Sequence, residues 1–269
     1  MSMILNYTLR DAEEWAAFSG DYNPIHFDLQ HVRKMGADQL SVHGMRAMLD
    51  MKRHLSEVLL ATPLEHDFYV FSARMRRPVL CQTPYLLQIA GSGKQITGKM
   101  LDSVTQESCF NSKLAPAQSL EPVASEYEHA LTVNEVMALS QRFPGQASEA
   151  TQAWSFFDAL LFQLLVKSPE TLAALTTALP ELQVATLIEV FAQIPVVQTH
   201  HETHFSARLF NPETLFAPED RLYYRIQPML IIGDRSSGFV LRAVIEARTQ
   251  RQALLVTSVT LKTWPMADN

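Results

Sequence analysis

Residues Ser41–Leu60, SVHGMRAMLDMKRHLSEVLL, set the architecture. Met45, Met48, Leu49, Leu55, Val58 and Leu59 recur at helical spacing and form an apolar stripe, with Arg46, Asp50, Arg53 and Glu57 on the opposite face. Pro63 ends this helix, which is expected over about 41–60. Three strand-like runs follow, Asp67–Pro78, Tyr85–Gly91 and Gln95–Phe110, with Gly91-Ser92-Gly93 as the turn between the last two. A long amphipathic helix followed by sequential strands predicts an α+β layout and not a doubly wound parallel sheet. Upstream, Arg10–Phe18 reads as a short helix with Trp15 and Phe18 three apart, stopped by Gly20. Asp21–Pro24 (DYNP) is dense in turn formers, and Pro24 drives Asn23 out of the helical region.

The layout recurs. Lys113–Glu126, with two prolines and small polar residues, reads as a linker, which divides the chain into 1–115, a linker over 116–126, and 127–269. Beyond it come a β-like Tyr127–Val133, a short helix over Asn134–Gln141, and apolar helices over Trp154–Val166, Glu170–Leu179 and Leu182–Gln193. Strand-like runs then cover His200–Leu209, Arg221–Ile232, Gly238–Gln250 and Leu254–Trp264. Phe71-Ser72-Ala73-Arg74 and Phe205-Ser206-Ala207-Arg208 repeat one tetrapeptide near the first strand run of each half, which points to a duplication. A length of 269 residues suits two such units of about 130 each.

Composition excludes several classes. With 47% hydrophobic and 19% charged residues the chain is globular, neither disordered nor a coiled-coil rod. A net charge of −6 makes it a poor general binder of nucleic acid or anionic membranes. Two cysteines, Cys81 and Cys109, form no disulfide framework and suit a reducing compartment. MSMILNYTLRDAEEW lacks the basic-then-apolar pattern of a signal peptide. The most apolar stretch, Ala153–Val166, is too short for a membrane span and is interrupted by Asp158 and Gln163. The expected location is the cytoplasm.

The chemistry is concentrated in Phe18–Met45, FSGDYNPIHFDLQHVRKMGADQLSVHGM. Asp21 and His26 flank a proline turn that can fold both toward one point, and an acid and an imidazole converging on one water make a general acid–base pair. Seventeen residues after His26, His43-Gly44-Met45 opens the long helix. Free N–H groups and the positive dipole end at a helix start can hold a developing oxyanion, and glycine lets a carbonyl approach the backbone.

Gly20-Asp21-Tyr22-Asn23-Pro24-Ile25-His26 followed by His43-Gly44-Met45 resembles the signature of the MaoC-like (R)-specific enoyl thioester hydratases and dehydratases, also called hydratase 2. The sheet run Met75–Leu80 is similar to theirs as well, and the resemblance covers about residues 7–110. It implies a hotdog fold, a long helix wrapped by an antiparallel sheet, and for a chain of two such halves a double hotdog. It implies that Asp21 and His26 are the catalytic pair, that Asn23, Gly44 and Met45 bind and orient substrate, and that Gly44 supplies the backbone oxyanion donor. The implied reaction is reversible addition of one water to a 2-enoyl thioester of coenzyme A or acyl carrier protein, giving the (R)-3-hydroxyacyl thioester. No metal and no organic cofactor is implied. The second half carries neither motif, which implies one active site per chain, in the first half.

Other readings stand beside this one. Hotdog proteins also include acyl thioesterases, and a catalytically silent acyl-thioester-binding subunit is a third possibility. His43 reads as ordering its loop, and Met45, Met48 and Met51 as core. His200-His201-Glu202-Thr203-His204 reads as a solvated strand end more readily than as a metal site. Arg74, Arg76, Arg77, Lys52 and Arg53 either meet the phosphates of the thioester carrier or form an ordinary solvated face. Arg46, where the family commonly has an apolar residue, either pairs with Asp50 on an exposed face or points into the acyl tunnel. The apolar helices of the second half need covering, by core or by a second copy in a homodimer.

Overall fold

The computed structural model describes residues 1–92, 94–120, 129–145, 149–180, 183–211, 216–217, 219–250 and 252–265. The chain begins with strand β1 (Ser2–Asn6) and helix α1 (Leu9–Ser19), which Gly20 closes in the left-handed conformation, φ 80°. A 3-10 turn over Pro24–His26 leads to α2 (Leu29–Lys34), the two-residue strand β2 (Ser41–Val42) and the long helix α3 (Gly44–Leu60). Strands β3 (Phe68–Met75), β4 (Val79–Leu80), β5 (Pro84–Ser92), β6 (Gln95–Asp102) and β7 (Ser108–Pro116) follow. The second half runs β8 (His129–Thr132), α4 (Val133–Ser140), α5 (Ala150–Lys167), α6 (Pro169–Ala178), α7 (Leu187–Gln193), β9 (Val196–Ser206), β10 (Arg221–Ile226), β11 (Leu230–Asp234), β12 (Gly238–Arg248) and β13 (Ala253–Thr263).

Eleven strands make one antiparallel sheet in the order β1-β5-β6-β7-β3-β9-β13-β12-β10-β8, with β11 on β12. The halves meet at β3 and β9, from Phe68↔Ser206 to Arg74↔His200. Along β5, Tyr85, Leu87 and Ile89 point into the core at the period of two that a half-buried strand requires. Helix α3 lies under the first half of the sheet and α5 beside it. Helix α5 is apolar on all sides because it is buried on all sides, as a central core helix must be. Trp154 stacks on Phe205 at 4.3 Å between ring centroids and donates its indole N–H to Ser56 Oγ at 2.7 Å.

Lys52 of α3 and Asp158 of α5 form an ion pair with both side chains fully buried. His201 Nε2 donates to Asp158 at 2.8 Å, Thr257 Oγ1 donates to it at 2.7 Å, and Thr203 Oγ1 is a further donor. Burial works to raise the pKa of Asp158, but the neighbouring His201 and Lys52 outweigh it and hold the carboxyl well below its ordinary value. Burial lowers that of His201, which sits in this network as a neutral donor.

Several expected boundaries move. The long helix starts at Gly44, because Ser41 and Val42 pair with Leu80 and Val79. The single run Gln95–Phe110 is two strands, split where Asp102 Oδ1 accepts from the N–H groups of Val104 and Thr105 and turns the chain. Lys113–Pro116, read as the start of the linker, continues β7, while residues 121–126 of that linker lie outside the described residues. The helix expected over Leu182–Gln193 covers Leu187–Gln193, and residue 182 is not described. The repeated tetrapeptides do not match in position: Phe71–Arg74 lies within β3, whereas Phe205 and Ser206 end β9 and Ala207 and Arg208 enter a 3-10 turn. His200–His204 is the middle of an interior strand and not a strand end. No helix among the described residues is long and apolar enough to cross a membrane.

Candidate active site

The motif folds into a chain of local caps. Asp21 N–H donates to Ser19 Oγ, Asn23 N–H to Asp21 Oδ1 at 3.3 Å, and Ile25 N–H to Asn23 Oδ1 at 3.2 Å. Asn23 thereby caps the 3-10 turn that delivers His26. The ring of His26 is anchored from the far side, where its Nδ1 lies 2.8 Å from the Ser41 carbonyl. A carbonyl only accepts, so Nδ1 carries the proton and Nε2 keeps a free lone pair. His43 is held in the same manner, its Nε2–H donating to the Asp21 carbonyl at 2.8 Å, and its buried Nδ1 has no partner among the described residues. The two imidazoles lie 3.6 Å apart between centroids, with their planes tilted by 30°. His43 therefore orders the loop, as read from sequence, and also walls the site.

One donor atom each from Asp21, His26 and His43 lies within 4.8 Å of the other two. A water hydrogen-bonded to a carboxylate oxygen and to an imidazole nitrogen, at about 2.8 Å from each, fits such a span. The same three donors are close enough together to ligate a divalent cation. Burial, then the neighbouring His43, lowers the pKa of His26 to about 3 against the opposing pull of Asp21 and the Ser41 carbonyl. Burial lowers that of His43 to about 4. Burial raises the carboxyl of Asp21, and His26 and the Asn23 N–H only partly offset it. The site thus holds neutral imidazoles and a carboxylate with a stronger hold on a proton than in water.

The cluster opens into a cavity of about 450 Å³. Gly44, the first residue of α3, lies on its wall, and the N–H groups of this first turn have no partners within the helix. A Cβ at Gly44 would stand 3.0 Å from Met75 Sδ and 3.7 Å from Gln198 Oε1, so a larger residue would crowd the Met75 side chain. Met45 is buried beside it. Arg76 and Arg77 are exposed and line the cavity, so it reaches the surface at these two cations. The second half supplies an apolar wall that includes Val166, Leu175, Leu187, Phe191 and Leu261.

Two long helices lie under one sheet whose halves join edge to edge. The fold is a double hotdog. Among solved structures, the chain is similar to Rv0216, a double-hotdog protein from Mycobacterium tuberculosis, at 13% identity over 98% of this chain and 96% of that one, TM-score 0.49. It is similar to a protein described as a MaoC-like dehydratase at 10% identity over 99% and 97%, TM-score 0.47. A Lactobacillus plantarum protein provisionally described as an oleoyl thioesterase matches at 9% identity over 100% and 96%, TM-score 0.49. No family model matches the sequence, and no curated protein matches it.

Within the double hotdog, other sequence expectations are resolved. Arg46 does not line the cavity. It pairs with Asp11 at 2.7 Å and Asp50 at 2.9 Å beneath Tyr7, with 15% of its side chain exposed. The Asp50 contact is as expected, but the face is largely covered. Lys52 is buried and meets no phosphate, and Arg53 contacts Asp50. Arg74 lies on the outer face, which leaves Arg76 and Arg77 at the cavity. Sequence reasoning missed Gln198 and the Asp158–His201 cluster.

The lowered imidazoles fix the sign of the acid response. Their folded pKa values lie below the unfolded value of about 6.5, so as the pH falls the unfolded chain takes up protons first. The stability from His26 and His43 is complete above pH 6.5 and drains away toward pH 4 and 3. Thermal scans from pH 7 to 4.5 are expected to show a falling Tm, with a shallower fall in His43→Asn. An unchanged slope in that variant would place the acid sensitivity elsewhere.

Proposed function

We propose that the protein is a MaoC-like hydratase that adds water reversibly to a 2-enoyl thioester, carried on coenzyme A or on acyl carrier protein. The observation that carries this reading is the convergence of Asp21, His26 and the N-terminus of α3 at one end of a single largely apolar cavity. The thioester carbonyl accepts from the Gly44 N–H, which stabilises negative charge on that oxygen as C3 is attacked. Asn23 and Met45 help seat the reacting end. The water held by Asp21 and His26 delivers its oxygen to C3 and one proton to the pair. That proton then passes to C2, so the net change is one water added and both protein groups return to their starting states. Because both parts come from one water on one face of the double bond, the addition is syn. The second half supplies the wall against which the acyl chain lies.

Two measurements test this. Chiral analysis of the product from crotonyl-CoA or a longer enoyl-CoA is expected to give the (R)-3-hydroxyacyl thioester; an (S) product, or none from any of them, would refute it. A water activated by an acid–base pair needs no metal, so turnover is expected to survive prolonged chelation with EDTA. Loss on chelation and recovery with a divalent ion would instead put a metal on Asp21, His26 and His43.

A further inference from the structure

Gln198 enters the site from the half that lacks the motif. Its placement has a specific cause in strand β9. Ladder pairing runs Thr260↔His200 and then Leu261↔Gln198, so Thr199 is an extra residue, a β-bulge. In an unbroken ladder side chains alternate, and His201 and Gln198, three residues apart, would face opposite sides of the sheet. With the extra residue, both face inward, and bulges beside active sites re-aim side chains in this way. Gln198 Nε2 comes to 3.4 Å from His201 Nδ1 and 3.7 Å from Met45 Sδ.

The buried network fixes which end of the Gln198 amide faces the cavity. His201 Nε2 donates to Asp158, so its Nδ1 is an acceptor and the approaching group is the Gln198 NH₂. The Oε1 carbonyl is then turned toward Gly44, 3.7 Å from where a Cβ would stand. An acceptor in that place attracts an N–H. A pantetheine-type arm carries an amide N–H two carbons beyond the thioester sulfur, on the side leading to the surface at Arg76 and Arg77.

Resting on the hydratase reading above, we infer that Gln198 is a substrate-positioning residue whose Oε1 accepts the hydrogen bond of the first amide N–H of a pantetheine-type thioester. The Lys52–Asp158–His201 cluster that joins the halves thereby also sets the orientation of an active-site amide.

The test compares two crotonyl thioesters, one of N-acetylcysteamine, which keeps the amide, and one of a plain alkyl thiol of equal length, which lacks it. Wild type is expected to favour the amide-bearing substrate in kcat/KM by about tenfold, the size of one net hydrogen bond, mainly through KM. In Gln198→Leu that preference is expected to collapse toward unity, and Gln198→Met gives the same reading should the branched side chain perturb folding. A purely structural role would slow both substrates alike, so an unchanged ratio in the variants, or no preference in wild type, overturns the inference. If wild type hydrates neither thioester, nor crotonyl-CoA, the hydratase reading itself fails and the inference falls with it.

Discussion

Asp21→Asn and His26→Ala are each expected to lower kcat/KM for an enoyl thioester by about 10²–10⁴-fold, the usual contribution of a general acid–base group. The Asn variant keeps an oxygen to accept from the Asn23 N–H, so the turn that carries His26 persists. The double variant is expected to be little worse than the poorer single one, because both groups act on the same water. Near-normal turnover in either single variant would remove that residue from the catalytic pair. In wild type the acid limb of kcat/KM is expected to follow the Asp21 carboxyl, which burial raises, since His26 stays neutral down to about pH 3. That limb is expected to vanish from the residual activity of Asp21→Asn, and a limb retained there would assign it to another group.

The second large effect is on stability. Asp158→Leu leaves Lys52 charged and unpaired where both side chains are fully buried, which costs about 3–5 kcal/mol. A domain is typically stable by only about 5–15 kcal/mol, so this variant sits near unfolding. Lys52→Met is expected to cost less, because Asp158 keeps its bonds from His201, Thr203 and Thr257. The double variant recovers part of the loss, because two apolar side chains can replace a buried pair. Recovery stays incomplete, since His201, Thr203 and Thr257 lose their shared acceptor. Urea unfolding of the three variants checks this, and single-variant costs below about 1 kcal/mol would mean that the pair is solvated.

The sequence carried the layout well where one period dominated. The stripe of α3 is a local pattern, and with the strand-like run at β5 it led directly to a helix-plus-sheet first half. The turn around Asp21–His26 was legible because its caps are short-range, each residue bonding one two places away. The Lys52–Asp158 pair left a signal that went unread. Lys52 is seven residues after Met45 on the buried stripe, and Asp158 interrupts an otherwise apolar helix, so each needed a buried partner. Which partner it was depended on how α3 and α5 cross, and no local pattern encodes that. Gln198 was illegible for another reason, since a bulge reverses strand parity and is set by pairing between β9 and β13. Arg46 was placed relative to Asp50 alone, whereas Asp11, thirty-five residues away, completes its pairing.

The most direct measurement of the central claim follows crotonyl-CoA with the purified protein at two signals together, the enoyl absorbance and free thiol. Loss of the absorbance to a hydration equilibrium with no thiol released, abolished in Asp21→Asn, is the predicted result. Thiol release that matches the loss of substrate would make the protein a thioesterase, and no change in either signal with crotonyl-CoA or longer enoyl-CoAs would make it a silent binding subunit; either outcome would contradict the hydratase assignment.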